Sequence, residues 1–169
     1  MNKYKIKLYG DPLLRETSKN VEEIKEESKD LAKGMAETMF VAEGVGLAAP
    51  QIGVLKRLIV IDMGDDNFVA YVNPKISFFS EKEDLEEEGC LCLPEIRVPV
   101  KRSLKINFEA TDLQGRKIQF EARDFLARVL QHEVDHLNGN TILENTSSEE
   151  KDKAIKKLME IYDELRLEG

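Results

Sequence analysis

Gln131-His132-Glu133-Val134-Asp135-His136-Leu137-Asn138-Gly139 carries the spacing His-Glu-x-x-His. On an α-helix, residues four apart lie one turn apart on one face. Two imidazoles so placed can reach a single metal ion, and the glutamate after the first can take a proton from a metal-bound water. A helix suits the neighbourhood. Phe125, Val129, His132 and His136 share one face at helical spacing, and Gly139 stands where a helix commonly ends. The chain has 2 histidines, both in this motif, so nothing else competes for an imidazole site. The plain alternative is a charged surface helix with solvated histidines. Ala127, Val129, Leu130 and Leu137 speak against it, because an apolar flank of this kind is made for burial.

The 169 residues are enough for one domain, spanning 1–169, with a sizeable core. At 41% hydrophobic and 34% charged residues, the composition is that of a soluble globular protein. No apolar run approaches a membrane span, and Met1-Asn2-Lys3-Tyr4-Lys5-Ile6-Lys7 lacks the apolar region of a secretory signal. The formal net charge of −8 disfavours DNA and anionic membranes as partners. Cys90 and Cys92, one residue apart, make no disulfide framework. A cytoplasmic setting follows, in which thiols stay free to bind metal or react.

Along the chain, Asp11-Pro12 opens a short helix. A longer helix is expected over about Val21 to Ala42, with Asn20 and Glu23 at capping-box spacing and an apolar stripe of Ile24, Leu31, Met35, Met39 and Ala42. Gly44-Val45-Gly46-Leu47-Ala48-Ala49-Pro50-Gln51-Ile52-Gly53 lacks phosphate-loop spacing. It reads either as a helix-to-strand connection or as a strip that another backbone can approach closely. Strands are expected at Arg57 to Asp62, Phe68 to Val72 and Lys75 to Phe79, with a turn at Gly64-Asp65-Asp66-Asn67. Ser103 to Ala110 and Arg116 to Phe120 read as a hairpin turning at Asp112-Leu113-Gln114-Gly115. The charged run Glu81 to Glu88 reads as an exposed edge or loop, Glu88 excepted. The motif helix starts near Ala122. A last helix covers about 147–167, capped by Ser147 with Glu150, its stripe formed by Ala154, Leu158, Ile161 and Leu165. The expected class is α+β: antiparallel or mixed sheets around a central His-Glu-x-x-His helix, with helices towards both ends.

Two histidines need a third ligand. A distal histidine is excluded, because Ile142 occupies its position in the pattern that continues through Gly139. Glu150, Glu160 or Glu164 could serve from the last helix, although solvent-facing acids explain them equally. Upstream, Glu88-Gly89-Cys90-Leu91-Cys92-Leu93-Pro94-Glu95 offers thiolates, and one cysteine would complete a His-His-Cys set with a coordination position left open.

Three stretches together resemble peptide deformylase: Gly44-Val45-Gly46-Leu47-Ala48-Ala49-Pro50-Gln51, Glu88-Gly89-Cys90-Leu91 and Gln131-His132-Glu133-Val134-Asp135-His136. Order, spacing and length fit over nearly the whole chain. The resemblance implies a monomeric hydrolase that removes the formyl group from N-formylmethionyl nascent polypeptides. It implies one divalent metal ion, Fe²⁺ in the cell, with Zn²⁺, Ni²⁺ or Co²⁺ as alternatives. By position, Cys90, His132 and His136 bind the metal and Glu133 is general base and acid towards a metal-bound water. Gln51 and the backbone N–H of Leu91 stabilise the oxyanion. An extended peptide lies against Val45, Gly46 and Gly89, and Val45, Phe125 and Val129 line the methionine pocket, although core packing would also account for these three. Glu88 and Arg102 are expected to pair and support Cys90. Cys92 departs from the family pattern. If it also bound metal, Cys90, Cys92, His132 and His136 would form a closed structural zinc site, and Glu133 would have no task. In some family members a basic C-terminal helix docks on the ribosome. Here Lys151, Lys153, Lys156, Lys157 and Arg166 face a larger set of acids, so any ribosome contact is expected to be transient and the helix to serve the fold.

Overall fold

The computed structural model describes residues 3–168, so Met1-Asn2 of the segment read for a signal, and Gly169, lie outside it. Among the described residues are three α-helices: α1 (Glu26–Val41), α2 (Asp124–Leu137) and α3 (Ser148–Glu168). Strands β1 (Gly46–Ala48), β2 (Leu58–Gly64), β3 (Asn67–Phe79), β6 (Lys105–Thr111) and β7 (Lys117–Arg123) form an antiparallel sheet in the order β1-β2-β3-β6-β7. Strands β4 (Glu83–Cys90) and β5 (Leu93–Ser103) pair separately as an antiparallel hairpin. The class is α+β with antiparallel sheets.

One apolar cluster joins α2 to the large sheet: Ala127, Leu130 and Leu137 meet Ile59, Tyr71, Ile106 and Phe108. A second seats Met35 and Met39 of α1 on Leu47, Leu58, Val60 and Val72, so both methionines are core residues. The third holds the hairpin. Ile96, Val98 and Val100 alternate inward along β5 and, with Leu93, pack on Ile142, Leu143, Ala154 and Leu158. Buried apolar side chains contribute roughly 1.5–3 kcal/mol each, so these clusters dominate the folding drive.

Several local readings change. Helix α1 begins at Glu26, not near Val21 under an Asn20 cap. The Asn73 side chain takes the Val21 N–H and donates to the Val21 carbonyl, both at 2.8 Å, and so holds the preceding segment out of the helix. Asn73 also sits at φ 50°, beside a bulge that lets β3 run on as a single strand where two were expected. The acidic run is strand β4, and its partner β5 is hidden in the sequence, because Pro94, Pro99 and the outward-facing Glu95, Arg97 and Lys101 mask its alternation. Helix α2 starts at Asp124, since Ala122 and Arg123 still pair with Ile106 and Lys105. Ser147 accepts from the Glu150 N–H and caps α3. On α3, Ala154 and Leu158 are buried, but Leu165 is half-exposed and leaves the expected stripe.

This difference along α3 generates a prediction. Leu158→Ala should cost about 2–5 kcal/mol in urea unfolding. Leu165→Ala should stay within about 0.5 kcal/mol. Truncation after Ser148 should lower the melting temperature by uncovering the β5 face.

Candidate metal centre

Three elements converge. Cys90 ends β4, while His132 and His136 lie one turn apart on α2. The ligand atoms of Cys90, His132 and His136 all lie within 4.8 Å of one another, with Cys90 Sγ 3.3 Å from His136 Nε2. Thiolate and imidazole are the donors a borderline divalent ion favours. Cys92 is not in this group, so the closed four-ligand site is not formed by this arrangement.

Glu88 orients the first histidine. Its Oε1 accepts from His132 Nδ1 at 2.8 Å and from Arg102 Nη2 at 3.0 Å. Its Oε2 accepts from Arg102 Nε at 2.9 Å and Arg128 Nη1 at 2.6 Å. All four lone-pair positions of the carboxylate are used. Because the carboxylate is an acceptor only, Nδ1 carries the hydrogen and Nε2 is turned towards the ligand group. Burial raises the Glu88 pKa, but the bonds from His132 and Arg102 outweigh it and hold the carboxyl down to about 2. Burial lowers the His132 pKa, yet hydrogen bonds to Cys90 and Glu88 carry it well above its usual value. The neighbouring Cys92 sulfur, then burial, pushes the Cys90 thiol up to about 11, and ligation would deprotonate it.

Glu133 is 3% exposed, and burial pushes its pKa up to about 7. Its Oε2 and His136 Nδ1 are buried without a protein hydrogen-bond partner. Such groups are costly unless something else satisfies them; a metal-bound water would do so for Glu133 Oε2, whereas His136 Nδ1 lies on the side of the ring away from the ligand group. The carboxylate abuts β1: a Cβ on Gly46 would sit 2.5 Å from Glu133 Oε1, so a larger residue there would have to displace the Glu133 side chain. Gln51 lies in the 3-10 turn Ala49–Ile52, where its Oε1 accepts from the Ala48 N–H at 2.8 Å. Its Nε2 lies 3.7 Å from Cys90 Sγ. Leu91 follows Cys90 at the turn of the hairpin, and Gly89 pairs with Arg97. Val45 and Phe125 are exposed at 48% and 65%, which rules out core packing for them, while Val129 is buried in the core.

Sequence reasoning missed Arg128 and Asp135. Arg128 reaches Glu88, the Val100 carbonyl and Asp84, and Asp135 receives the far end of Arg102. The i, i+4 spacing of Arg128 and His132 marked a shared face, but the acid they meet comes from β4.

The sign of the Glu88 shift predicts acid behaviour. A carboxyl depressed on folding stabilises the fold above its ordinary pKa of 4.5, and this is lost as pH falls towards about 2. Glu88→Gln should flatten the acid limb of the stability-pH curve in that window, read by denaturant titration. Breaking this buried network should also cost about 3–5 kcal/mol at neutral pH.

The sequence model of the polypeptide deformylase family matches residues 3–152. A peptide deformylase of Dictyoglomus thermophilum is 49% identical over 144 residues, which is 85% of this chain and 93% of that protein. The crystal structure of peptide deformylase from Thermotoga maritima is 42% identical with a TM-score of 0.82, over 85% of this chain and 97% of that one. The peptide deformylase structure from Legionella pneumophila is 38% identical with a TM-score of 0.90, over 98% of both chains. Similarity of this depth, sustained over the length of each partner, means that the chain belongs to the peptide deformylase family of hydrolytic enzymes.

Proposed function

We propose that this chain, acting as one catalytic domain over residues 1–169, removes the formyl group from N-formylmethionyl nascent polypeptides and releases formate. The observation that carries the reading is the meeting of Cys90, His132 and His136 beside the buried, unpartnered Glu133 carboxylate. Cys90, His132 and His136 would hold one divalent ion, Fe²⁺ in the cell with Zn²⁺, Ni²⁺ or Co²⁺ as substitutes, which supplies a Lewis acid and a lowered water pKa, near about 7 with zinc.

The chain's own residues do the remainder. Glu133 takes a proton from the attacking water and returns it to the departing amide nitrogen. As the C–N bond breaks, formate and a free α-amine leave. A pKa pushed up to about 7 suits a group that must both accept and give a proton near neutral pH. The Gln51 carboxamide and the Leu91 N–H serve the formyl oxygen as it gains negative charge. Glu88 and Arg102 hold His132, and through β4 also Cys90, in position.

Strand β1 ends its sheet, which leaves a backbone edge to which an extended peptide can add. Val45, Gly46 and Gly89 would flank it. Main-chain pairing ignores side chains, which suits an enzyme for many nascent chains. Exposed Val45 and Phe125, with Val129 behind them, would take the unbranched methionine side chain.

No helix among the described residues is long and apolar enough to cross a membrane. We place the enzyme in the cytoplasm as a monomer. Its last helix carries more acids than bases, so ribosome contact would be transient. Cosedimentation with ribosomes at physiological salt should be unchanged by truncation after Ser148.

The deciding experiment is formate release from formyl-Met-Ala-Ser by Fe²⁺- and Zn²⁺-loaded protein; no release would reject the reading. Glu133→Gln keeps the shape and removes the base, and should lower turnover by at least roughly 10²–10⁴-fold with metal content unchanged. Cys90→Ala should release the ion, whereas Cys92→Ser should keep one ion per chain by metal analysis.

A further inference from the structure

The reaction above gives Cys92 no task. Its side chain is fully buried, and its sulfur is no member of the ligand group. It has a partner, however: Gln51 Nε2 donates to Cys92 Sγ at 3.3 Å. Gln51 itself is 1% exposed, and its Oε1 accepts from the Ala48 N–H. A carboxamide is planar, so one anchor on its oxygen and one on its nitrogen fix it completely. The oxygen anchor settles which end is oxygen. The Cys92 sulfur takes one hydrogen of the NH₂ at 3.3 Å, and the amide also donates at 3.7 Å to Cys90 Sγ, so its second hydrogen points into the ligand group.

We propose that Cys92 is a positioning residue for Gln51: its sulfur accepts one amide hydrogen and so aims the other at the formyl oxygen. This rests on the reading of Gln51 given under Proposed function. The competing account is that Cys92 only fills space in the core, as buried cysteines often do. The two accounts part on the acceptor. Alanine removes both acceptor and volume, valine restores volume without an acceptor, and serine restores an acceptor in less volume.

A double-mutant cycle on the metal-loaded enzyme tests this. Gln51→Leu should lower kcat by roughly 10²–10³-fold, the usual cost of one oxyanion donor. Cys92→Ala and Cys92→Val should each lower kcat by roughly 10-fold with KM and metal content unchanged, since small misplacement of a reacting group is enough for such a loss. Cys92→Ser should retain most of the activity. In Gln51→Leu/Cys92→Ala the losses should not add, because the cysteine then has nothing to position. A readout independent of turnover is the side-chain NH₂ pair of Gln51 in the ¹H–¹⁵N spectrum of the zinc-loaded protein, assigned by its loss in Gln51→Leu. It should shift in the alanine and valine variants and stay in place in the serine variant. Valine behaving as wild type, additive losses, or an unmoved Gln51 signal in the alanine variant would each overturn the inference. If Gln51→Leu itself keeps wild-type kcat, the reading of Gln51 fails and the inference with it. Should Cys92→Ala not fold, the valine and serine variants decide the question alone.

Discussion

A single buried carboxylate holds in register the two elements that carry the candidate metal ligands. Glu88 belongs to β4, yet it receives hydrogen bonds from Arg128 and His132 on α2 and two from Arg102 on β5. With every lone pair engaged, the carboxylate has one orientation, and the His132 ring has one with it. Cys90 follows two residues along the same strand, past a break in its register with β5. Buried ion pairs add little net stability, because desolvation consumes most of the Coulombic gain. Their value here is geometric: the thiol of one element and the imidazoles of another are brought together because both answer to one charge.

The second constraint is an absence of side chain. Glu133 lies so close to β1 that a Cβ on Gly46 would push its side chain aside. The sheet edge and the carboxylate are thus in contact, and a peptide that extended this sheet would arrive beside Glu133. Keeping a carboxyl dry costs free energy, and the fold supports that cost with the packing of α2 on the large sheet. The shift of the Glu133 pKa is the electrostatic face of the same burial.

The hairpin that delivers Cys90 is the least self-sufficient part of the fold. Two strands alone are marginal in water. Their apolar face is covered by α3 and the turn Ile142–Glu144, with Cys90 itself packed at the margin of that cluster. A helix distant in sequence from the ligands is thereby tied to their support. Chemistry at the centre depends on apolar contacts at the periphery.

The sequence alone singled out the residues of the candidate metal centre. A helix repeat places His132 and His136 on one face without reference to anything distant, and a glutamate between them completes a local motif. The class, the methionine core of α1, the Asp112–Gly115 turn and the cap of α3 were legible for the same reason: each depends on neighbours within a few residues. Tertiary structure alone decided what depends on partners far along the chain. The Asn73 side chain, 52 residues away, shortened α1. The pairing of β4 with β5 turned an acidic run into a strand and took Glu88 alone of its glutamates inside. Arg128, Asp135 and Cys92 acquired partners that no spacing encodes, because a hydrogen bond is fixed by distance in space, and only the packed sheet and helices set that distance.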